Sequence, residues 1–270
     1  MKLLFDDFKI NIHTKGQTYF NRHIVFLHGF TGSALDWESV FNFLPSYVYA
    51  TAIDLPGHGE SDCPKEIKLY TIDKICSVID FVTEKLEMKD FALCGYSMGG
   101  RVALNYSIAN PGKVAKLILE SATPGIESQA DQKARIASDN NLCDLIETNG
   151  INSLIDFWMN LVLFDDLKKL NIYAYSKIVE RKRKNSVVGL TNSLKGFGTG
   201  AMLPLWNKLC QINIPTLLIT GAFDKKFTNI NRRMNNLIIN SKHEIFADCG
   251  HNVHAKKSKE FSDLLINFVK

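Results

Sequence analysis

The sequence predicts an α/β protein with a mostly parallel central sheet, helices on both faces and an inserted helical cap. Three observations support this prediction. Short apolar segments alternate with stretches of helical spacing in the first half of the chain. Turn-forming residues separate these segments, and the alternation returns near the C-terminus. Alternation of this kind favours right-handed crossovers between parallel strands.

The first half of the chain carries the clearest strand signals. Residues 23–27 read HIVFL, and a second apolar segment at 48–53 ends in a turn-rich stretch. Helical spacing over 72–86 separates it from the apolar segments at 91–94 and 114–120. We therefore predict four buried strands here, with helices in the longer connections.

The alternation breaks between residues 123 and 196. Helical patterns without an obvious buried strand fill this stretch. Strand-like segments return at 216–220 and 243–246, before a C-terminal amphipathic helix. We expect one core domain in two parts, residues 1–122 and 197–270, with a helical cap inserted at 123–196.

Composition excludes several classes of protein. The 270 residues are 46% hydrophobic, and 32 basic against 28 acidic residues give a net charge of +4. That excess is too small to predict a nucleic-acid partner, and no apolar run reaches the ~18–20 residues of a membrane span. The six cysteines occur singly, which is typical of reduced thiols and indicates no metal site. We expect a cytoplasmic protein without a cofactor, as a monomer or homodimer.

A candidate nucleophile lies in the turn after the 91–94 segment. The turn reads GYSMGG, a G-x-S-x-G pattern centred on Ser97 between a predicted strand and a predicted helix. Such a tight turn needs neighbours with almost no side chain, and it exposes the hydroxyl at a helix N-terminus that favours negative charge. We therefore predict that Ser97 is catalytic.

A serine hydroxyl needs a base to accept its proton, and the base needs an acid to orient it. Asp224 follows the 216–220 segment, and His251 follows the next predicted strand. Because the carboxyl ends of parallel strands face one edge of a sheet, the two can converge on Ser97. Glu120, which also ends a predicted strand, remains an alternative acid, and His254 an alternative base.

The loop after residues 23–27 reads HGFTG and is the predicted source of an oxyanion hole. The backbone N–H of Phe30 would act there with that of Met98, and one such donor contributes about 2.7–4 kcal/mol in related sites. His28 and His58 fall in loops at the same predicted edge and are candidates to line the site.

Several motifs extend this interpretation to a family. In order, LHGF, DLPGHGESD, GYSMGGR, GAFD and GH resemble the α/β-hydrolase superfamily. The stretches LKGFGTG with PLW, and GHNVH, resemble the narrower family of 2-succinyl-6-hydroxy-2,4-cyclohexadiene-1-carboxylate synthases of the menaquinone pathway. That resemblance implies a lyase that eliminates pyruvate from 2-succinyl-5-enolpyruvyl-6-hydroxy-3-cyclohexene-1-carboxylate. Ser97 would then act as base or proton relay. The alternative is a carboxylic-ester or carbon–carbon-bond hydrolase that works through an acyl-enzyme on Ser97.

The substrate that the resemblance implies is a small molecule with three carboxylates, which need cations in the site. Arg101 matches the arginine of the GYS-x-GGR motif, and Arg135 lies in the family's arginine-bearing cap segment. A third cation is expected within residues 181–184, with Arg183 preferred and Lys182 close behind. Trp158 and Tyr96 are further predicted substrate contacts.

Overall fold

The computed structural model describes residues 1–17 and 22–270, and within these ranges eight strands form one sheet. The strands are β1 (Lys2–Phe5), β2 (Phe8–Lys15), β3 (His23–Leu27), β4 (Tyr49–Ile53), β5 (Phe91–Tyr96), β6 (Val114–Glu120), β7 (Thr216–Gly221) and β8 (Ser241–Phe246). Their order across the sheet is β1-β2-β4-β3-β5-β6-β7-β8. From β4 to β8 every neighbouring pair is parallel.

Helices fill the connections between the strands. They are α1 (Glu38–Phe41), α2 (Ile72–Lys85), α3 (Met98–Ala109), α4 (Gln129–Met159), α5 (Ile172–Arg183), α6 (Val187–Phe197), α7 (Lys225–Leu237), α8 (Val253–Lys256) and α9 (Ser258–Val269). The predicted α/β fold class is confirmed. None of the helices in the described ranges is both long enough and apolar enough to cross a membrane.

The sequence prediction did not include the N-terminal hairpin. β1 pairs antiparallel with β2, and β2 pairs antiparallel with β4. The signal was present, because residues 8–13 alternate apolar and polar side chains, which is typical of a half-buried strand. Asp6 adopts a positive φ of 48° in the turn between the two strands.

The sheet is covered on both faces, so its central strands are buried throughout. Alternate residues of β3 enter two different apolar clusters. Val25 packs in the cluster that contains α2 and α3, whereas Phe26 packs in the cluster with Trp37 and the C-terminal helix. Burial on both faces explains why these strands read as continuous apolar runs in the sequence.

Between β6 and β7 the chain forms helices α4 to α6 and adds no strand to the sheet within the described residues. These helices enclose an apolar cluster of their own, which includes Ile146, Leu154 and Leu190. Gly150 interrupts α4 with a φ of 77° and a ψ of 178°, a backbone conformation that favours glycine. We call this helical layer the cap; its predicted limits at residues 123 and 196 stay a prediction.

Candidate active site

Ser97 lies at the sharp turn between β5 and α3. Its φ of 51° and ψ of −106° are strained for a residue with a side chain. The turn closes tightly: a Cβ on Gly95 would lie 2.4 Å from the Gly99 carbonyl oxygen, and one on Gly99 would lie 2.4 Å from the Leu27 carbonyl oxygen. The glycines of the G-x-S-x-G pattern are therefore required by backbone contacts.

Ser97, His251 and Asp224 come together at the carboxyl edge of the sheet. The Ser97 Oγ lies 3.0 Å from His251 Nε2, and His251 Nδ1 lies 2.6 Å from Asp224 Oδ2. His251 and Asp224 are buried, at 2% and 6% exposed. Asp224 also caps α7, because its Oδ1 accepts a hydrogen bond of 3.2 Å from the Phe227 backbone N–H. This geometry lets the serine proton pass to an imidazole that a carboxylate orients.

The alternative acid and base, Glu120 and His254, form a separate pair. Glu120 Oε2 lies 2.6 Å from His254 Nδ1, and Oε1 accepts backbone hydrogen bonds from Val253 at 2.6 Å and His254 at 3.0 Å. Both side chains are buried, and the His254 ring stacks on Trp37 with the ring centroids 4.2 Å apart. Glu120 thus anchors the segment that follows His251, and neither side chain forms a hydrogen bond with Ser97 within the described chain.

Phe30 and Met98 lie in the cavity beside Ser97. Among the described residues, neither backbone N–H donates a hydrogen bond to another protein group. The Phe30 loop is held by a hydrogen bond of 3.0 Å from Gly32 N to the Gly29 carbonyl, and Thr31 takes a positive φ of 64°. Two free N–H groups next to a serine hydroxyl suit an oxygen that gains negative charge.

His28 and His58 support this loop from behind and do not belong to the cavity lining within the described chain. His28 Nε2 accepts a hydrogen bond of 3.0 Å from the Leu55 N–H, so this nitrogen carries no proton. Burial lowers the pKa of both histidines, and in His58 the neighbouring His28 lowers it further. The expectation that they line the site was wrong, because both rings pack beneath the loop.

The Ser97 cavity has a volume of about 310 Å³ and is bounded by the sheet edge, the cap and the start of α7. Arg101 and Arg135 both line it, as does Trp158. Arg101 is only 8% exposed, and its Nε has no hydrogen-bond partner in the described structure. Burial, reinforced by the nearby Arg135, lowers the pKa of Arg101 to about 9, so the guanidinium is still charged at neutral pH. Asp139 opposes part of this shift but is bonded to Arg135, so a carboxylate in the cavity would stabilise a buried cation that makes no ion pair of its own in the described structure.

Two predicted substrate contacts are corrected by the structure. Tyr96 is buried behind the cavity and is not part of its lining in the described chain: its ring lies 5.3 Å from the His251 ring and 4.9 Å from the His254 ring, measured between centroids. Arg183 points away from the site and pairs with Asp156 at the exposed cap surface, with Nη2 and Oδ1 2.7 Å apart. Lys182, the second choice, is the buried member of the run, but it does not line the Ser97 cavity in the described chain, and its Nζ donates to Thr31 Oγ1 at 3.1 Å.

The structure also adds residues to the cavity that the sequence analysis missed. They are Lys226 and Phe227 of α7, together with Ser193, Thr199 and Trp206. Lys226 could have been found from its position two residues after Asp224, which places it at the same sheet edge. In the described ranges, no group of three or more His, Cys, Asp or Glu side chains is arranged to hold a metal ion.

The sheet, the serine turn and the hydrogen-bonded His251 together define an α/β-hydrolase-type protein. In agreement, residues 22–258 match the family model described as the alpha/beta hydrolase fold.

Comparison with individual proteins narrows the family. The chain is 35% identical to a Bacillus subtilis protein provisionally named 2-succinyl-6-hydroxy-2,4-cyclohexadiene-1-carboxylate synthase, over 91% of this chain and 89% of that protein. A Serratia proteamaculans protein named as this synthase is 25% identical over 91% of this chain and 92% of that protein. The solved structure of MenH from S. aureus matches with a TM-score of 0.91 and 33% identity, covering 96% of this chain and 97% of that one. The chain belongs to the 2-succinyl-6-hydroxy-2,4-cyclohexadiene-1-carboxylate synthase family.

Proposed function

We propose that this protein eliminates pyruvate from 2-succinyl-5-enolpyruvyl-6-hydroxy-3-cyclohexene-1-carboxylate, as a cytoplasmic step of menaquinone synthesis. The observation that carries the proposal is the hydrogen-bonded chain from Ser97 through His251 to Asp224 in a cavity that also holds Arg101. A serine hydrolase needs the first three side chains, whereas a buried cation that makes no ion pair within the described chain suits a substrate rich in carboxylates. The family to which the chain belongs supports the same substrate.

Proton transfer begins at Ser97. Its hydroxyl proton passes to His251 Nε2, 3.0 Å away, and the serine oxygen removes the proton on the carbon alpha to the succinyl ketone. Asp224 stabilises the imidazolium that results and holds the ring in the required orientation. The electron pair of the broken C–H bond moves onto the ketone oxygen and forms a dienolate.

The dienolate then collapses. Its electron pair returns through the ring, the C–O bond to the enolpyruvyl group breaks, and pyruvate leaves as its enolate. The serine hydroxyl was already re-formed by the proton taken from the substrate carbon, so transfer of the His251 proton to that enolate gives pyruvate and restores the neutral imidazole. In this scheme Phe30 and Met98 donate their backbone N–H groups to the ketone oxygen, and they act on a dienolate as they would on a tetrahedral intermediate.

Carboxylate recognition falls to Arg101 and Arg135. Arg135 Nε is bonded to Asp139 at 2.8 Å, which orients the guanidinium and leaves its other nitrogens to a ligand. The Trp158 indole N–H is buried without a partner in the described structure and lies beside the same cavity, so it supplies one neutral donor. We assign the cap of α4 to α6 the task of excluding water from the carbanion-like intermediate.

The test is to incubate the purified protein with the enolpyruvyl substrate and follow pyruvate with a coupled lactate dehydrogenase. We expect fast pyruvate release, and near-complete loss of it in Ser97→Ala. Cleavage of simple carboxylic esters with an initial burst, and no pyruvate, would replace this proposal with the acyl-enzyme hydrolase.

A further inference from the structure

The substrate of the proposed reaction has three carboxylates, but Arg101 and Arg135 supply only two cations in the cavity. Arg183, the expected third, is paired with Asp156 on the outer face of the cap. Lys226 lies in the cavity lining, in the first turn of α7. We propose that Lys226 binds a substrate carboxylate at the mouth of the cavity; this inference rests on the proposed function.

The ammonium group of Lys226 is unneutralised. It makes no ion pair or hydrogen bond with a described residue. Its Nζ lies over the ring of Phe227, 5.8 Å from the ring centroid. The one acidic side chain in the lining, Glu127, is already occupied: its two oxygens accept from Arg233 at 2.5 and 2.8 Å. The positive charge of Lys226 therefore remains available to a ligand.

The position of Lys226 is unfavourable for a lysine unless an anion binds there. The N-terminus of a helix carries a partial positive charge, which disfavours a cation there. α7 has no acidic residue in its first turn, and its cap, Asp224, already contacts His251. A bound carboxylate would gain from both the ammonium group and the helix terminus.

Independent evidence that the cavity receives an anion comes from Arg101. It is more than nine-tenths buried, and its Nε lacks a partner in the described chain although it lines the same cavity. Arg101 sits deep beside Ser97, whereas Lys226 is exposed. Together with Arg135 they form three cations at different positions on the cavity wall, which matches a substrate whose carboxylates are borne on three separate groups.

The experiment compares Lys226→Met with Lys225→Met and Lys226→Arg. Lys225 is an exposed neighbour outside the cavity lining, so it controls for net charge and for the start of α7. We expect Lys226→Met to raise KM about 3- to 10-fold at unchanged kcat, the range for a partly solvated charged contact. Lys225→Met should leave KM within about 2-fold, and Lys226→Arg should restore most of the loss.

Raising the salt from about 0.05 to about 0.5 M should reduce the difference between wild type and Lys226→Met, because an exposed charge is screened. Equal KM effects in the Lys225→Met and Lys226→Met proteins, or no effect in either, would overturn the inference.

Binding without turnover separates this inference from the proposed reaction. Titration of the enolpyruvyl substrate into the Ser97→Ala protein measures the Kd directly, and a second Lys226→Met substitution should raise it by the same factor. If the Lys226→Met substitution raises the Kd but the wild-type protein releases no pyruvate, the proposed elimination alone is refuted. Pyruvate release with a Kd insensitive to Lys226 would refute the assignment of Lys226 alone.

Discussion

Replacement of Asp224 by asparagine should abolish most of the activity, for a reason that follows from its two hydrogen bonds. Asp224 Oδ1 accepts from the Phe227 N–H at 3.2 Å, and Oδ2 lies 2.6 Å from His251 Nδ1. An asparagine can satisfy the Phe227 N–H only with its oxygen, so its NH₂ must face His251. His251 would then keep Nδ1 as an acceptor and carry its proton on Nε2, which faces Ser97.

In that tautomer His251 cannot accept the Ser97 proton. The equivalent change in serine hydrolases with the same arrangement lowers kcat by about 10⁴, and at 1.36 kcal/mol per decade this corresponds to about 5.4 kcal/mol. We therefore expect Asp224→Asn to lower kcat for pyruvate release by about 10³- to 10⁴-fold, with a smaller change in KM. The free energy of unfolding should change little, because the helix cap to Phe227 persists.

Glu120→Gln is the matched control, since it makes the same chemical change in a second buried carboxylate at this edge, the one that was the alternative acid. The glutamine oxygen can still accept from Val253 and His254, and His254 can shift its proton to Nε2, which has no partner in the described chain. We expect kcat to fall by less than about 10-fold and the free energy of unfolding to fall by about 1–3 kcal/mol. Coupled pyruvate assays and chemical denaturation measure both. A larger kcat loss in Glu120→Gln than in Asp224→Asn would refute the assignment of the acid.

Three further predictions concern a buried arginine, a glycine of the serine turn and a half-buried histidine. Arg101→Met should lower kcat/KM by a factor that corresponds to about 1.5–3 kcal/mol of transition-state stabilisation, while the free energy of unfolding stays the same or rises, because the change removes a buried charge that makes no ion pair within the described chain. An unchanged kcat/KM, or a clear loss of stability, would contradict this. Gly99→Ala should destabilise the fold by about 1–3 kcal/mol in denaturant titrations, because its Cβ would meet the Leu27 carbonyl oxygen at 2.4 Å; a neutral variant would show that the turn can relax. Burial lowers the pKa of His243 to about 4 from the ordinary 6.5, and its Nε2 lies 2.8 Å from Thr220 Oγ1. As the pH falls, His243 is therefore protonated in the unfolded chain before it is protonated in the folded protein. The free energy of unfolding that this histidine contributes is complete above pH 6.5 and is lost as the pH falls toward 4. His243→Gln should make that decline shallower in denaturant titrations at successive pH values.

The sequence predicted the architecture well where local chemistry determines it. The run 23–27 became β3 with the expected limits, and the glycines around Ser97 predicted a tight strand-to-helix turn. The convergence of Ser97, Asp224 and His251 could be anticipated because parallel strands end at one edge. Asp224 was the predicted acid and lies against His251, but the sequence could not exclude Glu120, because both carboxylates lie at the carboxyl ends of strands and only their three-dimensional neighbours differ.

Side-chain direction was the main source of error. Within residues 181–184, consecutive positions differ by about 100° around a helix, so a preference for Arg183 over Lys182 needed the rotation of α5 against the core. Tyr96 adjoins Ser97 in sequence, but its ring packs in the apolar cluster that contains Trp37 and against His251, and not in the cavity lining of the described chain. No helix was predicted after Asp224, so the place of Lys226 on the cavity wall, in the first turn of α7, was not anticipated.

The claim that Ser97 transfers a proton rather than an acyl group is tested most directly by a single turnover with enzyme in excess over the enolpyruvyl substrate. Samples quenched at successive times are divided between a pyruvate assay and intact-protein mass measurement. We predict one equivalent of pyruvate while the protein keeps its unmodified mass at every time. A covalent adduct on Ser97 that forms before or in place of pyruvate would contradict the account.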